Sequence, residues 1–145
     1  MTYGRLLAIT KGLLTGDNTL PVDNEVLLGL LEYAFYNVSV KAQSLHLMTM
    51  NRSKEILRLS EGDYLMRLPK LPGVEGDILD IDDELGFPTA RFIASFISKD
   101  RGGIHVAEAN RLINDYNGKV YEIMDSMRIQ NEEAECGLQQ TFKQH

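Results

Sequence analysis

The chain has 145 residues, 43% apolar and 25% charged, with a formal net charge of −6. This is one domain's worth of sequence, and a domain of this length buries about two-thirds of its unfolded surface without disulfide or metal staples. The acidic balance argues against nucleic-acid binding, where a basic face supplies the affinity, and no apolar run approaches the roughly 20 residues that span a bilayer.

The N-terminal apolar residues Leu6, Leu7, Ala8, Ile9, Leu13 and Leu14 are interrupted by Lys11 and Gly12, unlike a signal peptide's core. They predict a short helix over 3–14, weakened by Gly4 and Gly12. Gly16-Asp17-Asn18 reads as a break. A second helix is expected over 23–44, with Pro21 just before it and Asp23 accepting from its first free N–H groups. Its apolar stripe is Val26, Leu27, Leu30, Leu31, Ala34, Phe35 and Val38.

The period then changes to alternation. Leu45 to Met50, Glu55 to Leu59 and Tyr64 to Leu68 predict three short strands, separated by turns at Asn51–Lys54 and Ser60–Asp63. Three such strands cannot stand alone and must lean on helices or a neighbour. Pro69-Lys70-Leu71-Pro72-Gly73 is the clearest linker, since two prolines fix φ and disfavour helix before them.

A third helix is expected near 83–99, with Leu85, Phe92, Ile93, Phe96 and Ile97 on one face. Its start is open. Either a turn begins near Asp82 and bends at Pro88, or Pro88 is the first helical residue. A fourth helix over 104–127 carries Ala109, Leu112, Ile113, Tyr116, Val120, Ile123, Met124 and Met127. Leu30, Phe35, Phe92, Phe96, Ile113 and Val120 are the expected deep core. Beyond 127 the apolar signal stops, and residues 128–145 are rich in Gln, Asn and Glu with Ile129, Leu138 and Phe142 as isolated anchors.

The expected fold class is therefore mainly α: a compact helical bundle with a small antiparallel β-hairpin or meander inserted between helices over about 45–68, and an extended C-terminal tail. Residues 1–127 form the domain and 128–145 the tail. The tail has too few apolar groups to offset an ordering cost of about 1–2 kcal/mol per residue, so a partner must order it.

The sequence offers no catalytic constellation. The acidic run Glu75, Asp77, Asp80, Asp82, Asp83 and Glu84 lacks EF-hand spacing, and reads as charge placed before a helix N-terminus that favours anions. His46, His105 and His145 are scattered, with no metal-ligand spacing around them. The single Cys136 fits a reducing cytoplasm and pairs with no second cysteine. None of the twelve glycines belongs to a phosphate-binding signature. The reading is thus of a non-enzyme without cofactor or metal. Asn110, Asn114 and Asn117 recur on one side of the fourth helix and suit a hydrogen-bonding face against a neighbouring subunit, or a solvated face. Met48 and Met50, with Met66, suit either a soft adaptable contact or meander core.

The order of parts carries a resemblance. A helix over Asn24 to Ser44 is followed by the small sheet region and Arg67-Leu68-Pro69. Then come Asp80-Ile81-Asp82-Asp83-Glu84-Leu85, Ile93-Ala94-Ser95-Phe96-Ile97-Ser98 and Ile113-Asn114-Asp115-Tyr116. Over residues 20–127 this resembles the small head–tail connector proteins of tailed bacteriophages, the adaptors or head-completion proteins below the portal. The resemblance implies a virion protein, made in the host cytoplasm and forming a ring, often of twelve copies. Its partners are then the portal protein, copies of itself and a downstream tail or stopper protein. It also implies docking through the C-terminal segment with Ile129, Leu138 and Phe142 as contacts. The ring would surround DNA without reading its sequence and would touch no membrane. The alternative from another class is a small phage or bacterial regulatory module that binds a partner protein.

Overall fold

The computed structural model describes residues 1–50, 54–59 and 65–143, with side chains described as far as residue 130. Thr2 opens helix α1 (Tyr3–Leu13), its hydroxyl accepting from the Arg5 amide at 3.2 Å. Asp23 opens α2 (Asn24–Lys41) in the same way, accepting from the Glu25 amide at 2.8 Å. Both starts fall where the capping residues put them. Gly16, at φ 64°, makes the turn after α1 in a backbone region that side chains disfavour.

Helix α2 stops at Lys41, three residues before the expected end at Ser44. The physical reason is tertiary. Asn117 donates to the Lys41 carbonyl at 3.0 Å and accepts from the Gln43 amide at 2.8 Å. The Arg58 guanidinium donates to the Ser39 carbonyl at 3.1 Å and the Ala42 carbonyl at 2.5 Å. These groups satisfy the carbonyls that a helix C-terminus leaves open, and place a cation at its negative end.

The small antiparallel sheet comprises β1 (Met48–Thr49), β2 (Ile56–Leu59) and β3 (Leu65–Arg67). Its order is β1-β3-β2, so the last strand is the central one. Register pairs Met48 with Met66 and Leu59 with Leu65. The expected turns fall at 51–53 and 60–63, outside the described residues. As expected, the sheet leans on helices: Leu65 and Met66 are buried, and β2 lies along the end of α2.

After the proline linker, residues 75–79 run beside the start of α1. Tyr3 and Gly4 amides donate to the Asp77 and Glu75 carbonyls at 2.9 and 2.8 Å, and the Leu79 amide to the Met1 carbonyl at 2.9 Å. A Cβ on Gly4 would meet the Glu75 carbonyl oxygen at 3.2 Å, so this close approach suits glycine.

A 3₁₀ turn (Asp83–Leu85) leads directly into α3 (Gly86–Ile97). Pro88 is the third residue of α3, within the first turn, where no intrahelical N–H bond is lost. The open question at Pro88 resolves toward a turn beginning after Asp82, with proline inside the first turn of the regular helix. Helix α4 (Gly102–Lys143) has 42 residues and does not end at 127. The segment 128–143 expected as a separate tail continues this helix.

The core joins all four helices and the sheet. Phe35, Phe92, Ile113 and Val120 are buried as expected, with Leu6, Leu31, Met66 and Leu85. Two core expectations fail. Leu30 is only partly buried, and Phe96 is 46% exposed. The buried face of α3 is centred on Thr89, Ala90, Phe92, Ile93 and Ala94, which leaves Phe96 at the rim.

Candidate functional site

The acidic run is a set of ties between distant segments. Asp80 faces Arg67 of β3 through a two-pronged pair, Nη1 to Oδ2 at 2.5 Å and Nη2 to Oδ1 at 2.7 Å. It also accepts from the Lys70 amide at 2.8 Å and meets His46 Nε2 at 2.7 Å. Burial pushes the Asp80 carboxyl up, but Arg67, the Lys70 amide and His46 outweigh it and hold it well below the usual carboxylate range. Asp82 accepts from Ser44 Oγ and the His46 amide, both at 2.9 Å, from the Leu45 amide at 3.1 Å, and from the Tyr116 hydroxyl. Burial and this contact with Asp82 carry the Tyr116 hydroxyl well above its ordinary pKa.

The other carboxylates are also paired, Asp77 locally and Asp83 and Glu84 with distant groups. Asp77 accepts from the Gly73 and Val74 amides at 2.7 and 3.0 Å, and these two bonds lower its pKa. Asp83 pairs with the Met1 amino group and Glu84 with Lys119 at 3.1 Å. The expected placement before a helix N-terminus holds for Asp83 and Glu84, in the first turn of the 3₁₀ segment that leads into α3, while Asp80 and Asp82 bond to distant segments instead. Asp82, at the cap position of the 3₁₀ turn, makes no side-chain cap bond there. Among the described residues no group of three or more His, Cys, Asp or Glu is placed to hold a metal ion.

His46 is thus drawn to Asp80, a partner 34 residues away that no local spacing reveals. His105 is buried, with Nδ1 3.1 Å from the Arg91 guanidinium and Nε2 without a partner. Burial, then Arg91 and Arg101, lower its pKa. The Ser44 hydroxyl, two residues before His46, donates to Asp82.

The asparagine face divides. Asn110 accepts from Lys41 Nζ at 2.9 Å and Asn117 caps α2, so both make bonds within this chain. Asn114 is exposed. Met48 is half-buried against the core, while Met50 is exposed. Of the expected tail contacts, Ile129 is 50% exposed; the side chains of Leu138 and Phe142 lie outside the described residues.

Two of the apolar surfaces exposed among the described residues are the candidate contact sites. The first is the overhang of α4. His105, Ala109, Ile113, Tyr116 and Val120 follow one buried seam, and Met124 is half-buried at its end. Ile123 (49%) and Met127 (59%) are exposed, and every residue from Asp125 to Gln130 is exposed. The second lies on α2, where Tyr33 (69%) and Tyr36 (56%) line, with Glu32, a concavity of about 430 Å³. The Tyr33 ring meets the Phe96 ring edge-on at 6.1 Å and 71°. The sequence reading missed this surface. Its signal was present: α2 carries Tyr33, Tyr36 and Val40 off its main stripe, so it is apolar around most of its circumference.

No family model, curated protein or solved structure matches the chain. No described helix is long and apolar enough to cross a membrane.

Proposed function

We propose that this chain is a non-enzymatic structural connector. It forms a ring between the portal and the tail of a tailed bacteriophage, at the head–tail interface of the virion, and docks on the portal through its C-terminal segment. The observation that carries the reading is the overhang of α4. The bundle uses this helix only to about Met124, yet the helix continues for a further five turns or so. Its Ile123, Met127 and Ile129 are exposed among the described residues. Ile123 and Met127, one turn apart, make a small exposed apolar ridge, and such exposed apolar patches mark contact surfaces. A connector needs such an arm on a self-sufficient core, and several weak arms on one ring add through multivalency. The downstream face of the ring would receive a tail or stopper protein.

Deletion of residues 131–145 tests the proposal. The truncated chain should keep its melting temperature within about 3 °C, because these residues lie beyond the core seam. It should lose binding to portal in a pull-down. Normal portal binding by the truncated chain would refute the docking role. Failure of the full chain to bind portal would favour the regulatory-module alternative.

A further inference from the structure

The two uncovered surfaces complement each other and lie at opposite ends of the molecule. Phe96 sits in the last turn of α3, beside the start of α4, where a Cβ on Gly102 would meet the Ser95 carbonyl oxygen at 3.1 Å. The overhang begins near Met124, about 33 Å along α4 at roughly 1.5 Å per residue. Helix α4 is continuous between the two, so it cannot fold back onto Tyr33 and Phe96 of its own chain.

We propose that the α4 overhang of one copy docks on the Glu32–Tyr33–Tyr36–Phe96 surface of a second copy. Ile123 and Met127, one turn apart, supply an apolar ridge for the aromatic concavity, and methionine sulfur packs favourably on ring edges. Charge agrees as well. Exposed Glu32 pairs with no cation among the described residues, and Arg128 follows Met127 directly. Arg128 reaches its own Asp125 only at 3.9 Å, a loose exposed pair that can be exchanged. Because the two surfaces differ, the contact is head-to-tail: each copy offers a free overhang and a free concavity. Such contacts propagate until a ring closes. The inference rests on the ring reading above and names the surfaces that would build it. It also leaves the helix beyond residue 130 free to reach a portal.

Single-cysteine chains test it, with the native thiol removed by Cys136→Ser. One chain carries Tyr36→Cys and the other Met127→Cys; both positions are exposed, so folding is retained and is checked by circular dichroism. A short bis-maleimide should link the two chains to each other in the mixture. It should link neither chain to itself in quantity. Light scattering on the full chain should give a mass that rises beyond two copies with concentration, and Tyr33→Glu should weaken association at least tenfold while Tyr33→Phe does not. Efficient self-linking of Met127→Cys, or a mass that stops at two copies, would overturn the proposal in favour of symmetric helix pairing. Absence of the mixed link would also overturn it. If the mass still rises beyond two copies in that case, ring formation stands and only the surfaces are wrong. A mixed link without portal binding supports the contact and removes the connector reading.

Discussion

Replacing Asp80 by Asn tests whether the acidic run holds the fold together. The carboxylate and the Arg67 side chain are 20% and 13% exposed, so the pair is largely withdrawn from water. Asn keeps the shape but removes the charge, leaving the Arg67 guanidinium mostly buried beside a neutral amide. Removing one partner of a fully buried pair costs about 3–5 kcal/mol, and one charge-assisted hydrogen bond about 1.5–3 kcal/mol. Residual solvent access at Asp80 lowers the first figure, so a loss of about 2–4 kcal/mol is expected. For a domain of this size roughly 3 °C follows each kcal/mol, hence a fall in melting temperature of about 6–12 °C. The double variant Asp80→Asn with Arg67→Met should recover at least half of the loss, since it no longer buries an unpaired cation.

The same substitution has a pH signature. The folded-state pKa of Asp80 is depressed. Its contribution is therefore complete above the unfolded value, about 3.9, and is lost as pH falls through that value toward the lower folded one. The stability gap between wild type and Asp80→Asn should be widest near neutrality and close in acid below about pH 4. Scanning calorimetry across pH measures both quantities. A loss under about 1 kcal/mol at pH 7, or a gap that does not change in acid, would show that the pair behaves as a surface ion pair and refute the reasoning.

Three further outcomes are expected. Phe92→Ala should cost about 3–5 kcal/mol in chemical denaturation, whereas Phe96→Ala, at the exposed rim, should cost under about 1.5 kcal/mol; equal losses would contradict the placement of the α3 face. His105 has a lowered folded pKa, so its proton is disfavoured by the folded state, and stability should decline as pH falls below the unfolded value of about 6.5. His105→Leu should flatten the decline between pH 7 and 5, and identical slopes would dismiss the effect. Arg58→Ala, which uncaps the end of α2, should lower stability by about 1–3 kcal/mol and raise amide exchange near Val40 to Ala42.

Features fixed by neighbours in sequence were legible. Asp23 caps α2 through an amide two residues away, and the α4 seam from Ala109 to Val120 follows one helical period. Features fixed by distant residues were not. The end of α2 depends on Asn117 and Arg58, and the role of Asp80 depends on Arg67 and His46. Local electrostatics gave the acidic run a role at a helix start, which Asp83 and Glu84 keep, while tertiary hydrogen bonds add a second role for Asp80 and Asp82. Phe96 satisfied the period of α3 but lay at the edge of a stripe whose centre only packing decides. The continuation of α4 was hidden for another reason. Glu132, Glu133, Ala134, Glu135, Gln139 and Gln140 are good helix formers without an apolar stripe, and extending an existing helix carries no nucleation cost. Loss of the stripe marked where the helix leaves the core, not where it ends.

That distinction bears on assembly. Asp80 and Asp82 fasten the strand region and its approach to the segment entering α3, while Tyr116 and Lys119 join α4 to the same segment before Met124. Every described long-range tie on α4 thus lies on its first part. Binding energy gained by the overhang is then not opposed by contacts that must first break, and the overhang's ordering cost falls because its helix is already continuous with a packed one. A detached polar tail of the same composition would meet that full cost on docking. On the proposed reading the acidic clasp and the overhang act together: the first makes the bundle independent of the C-terminal segment, and the second offers that segment to a partner.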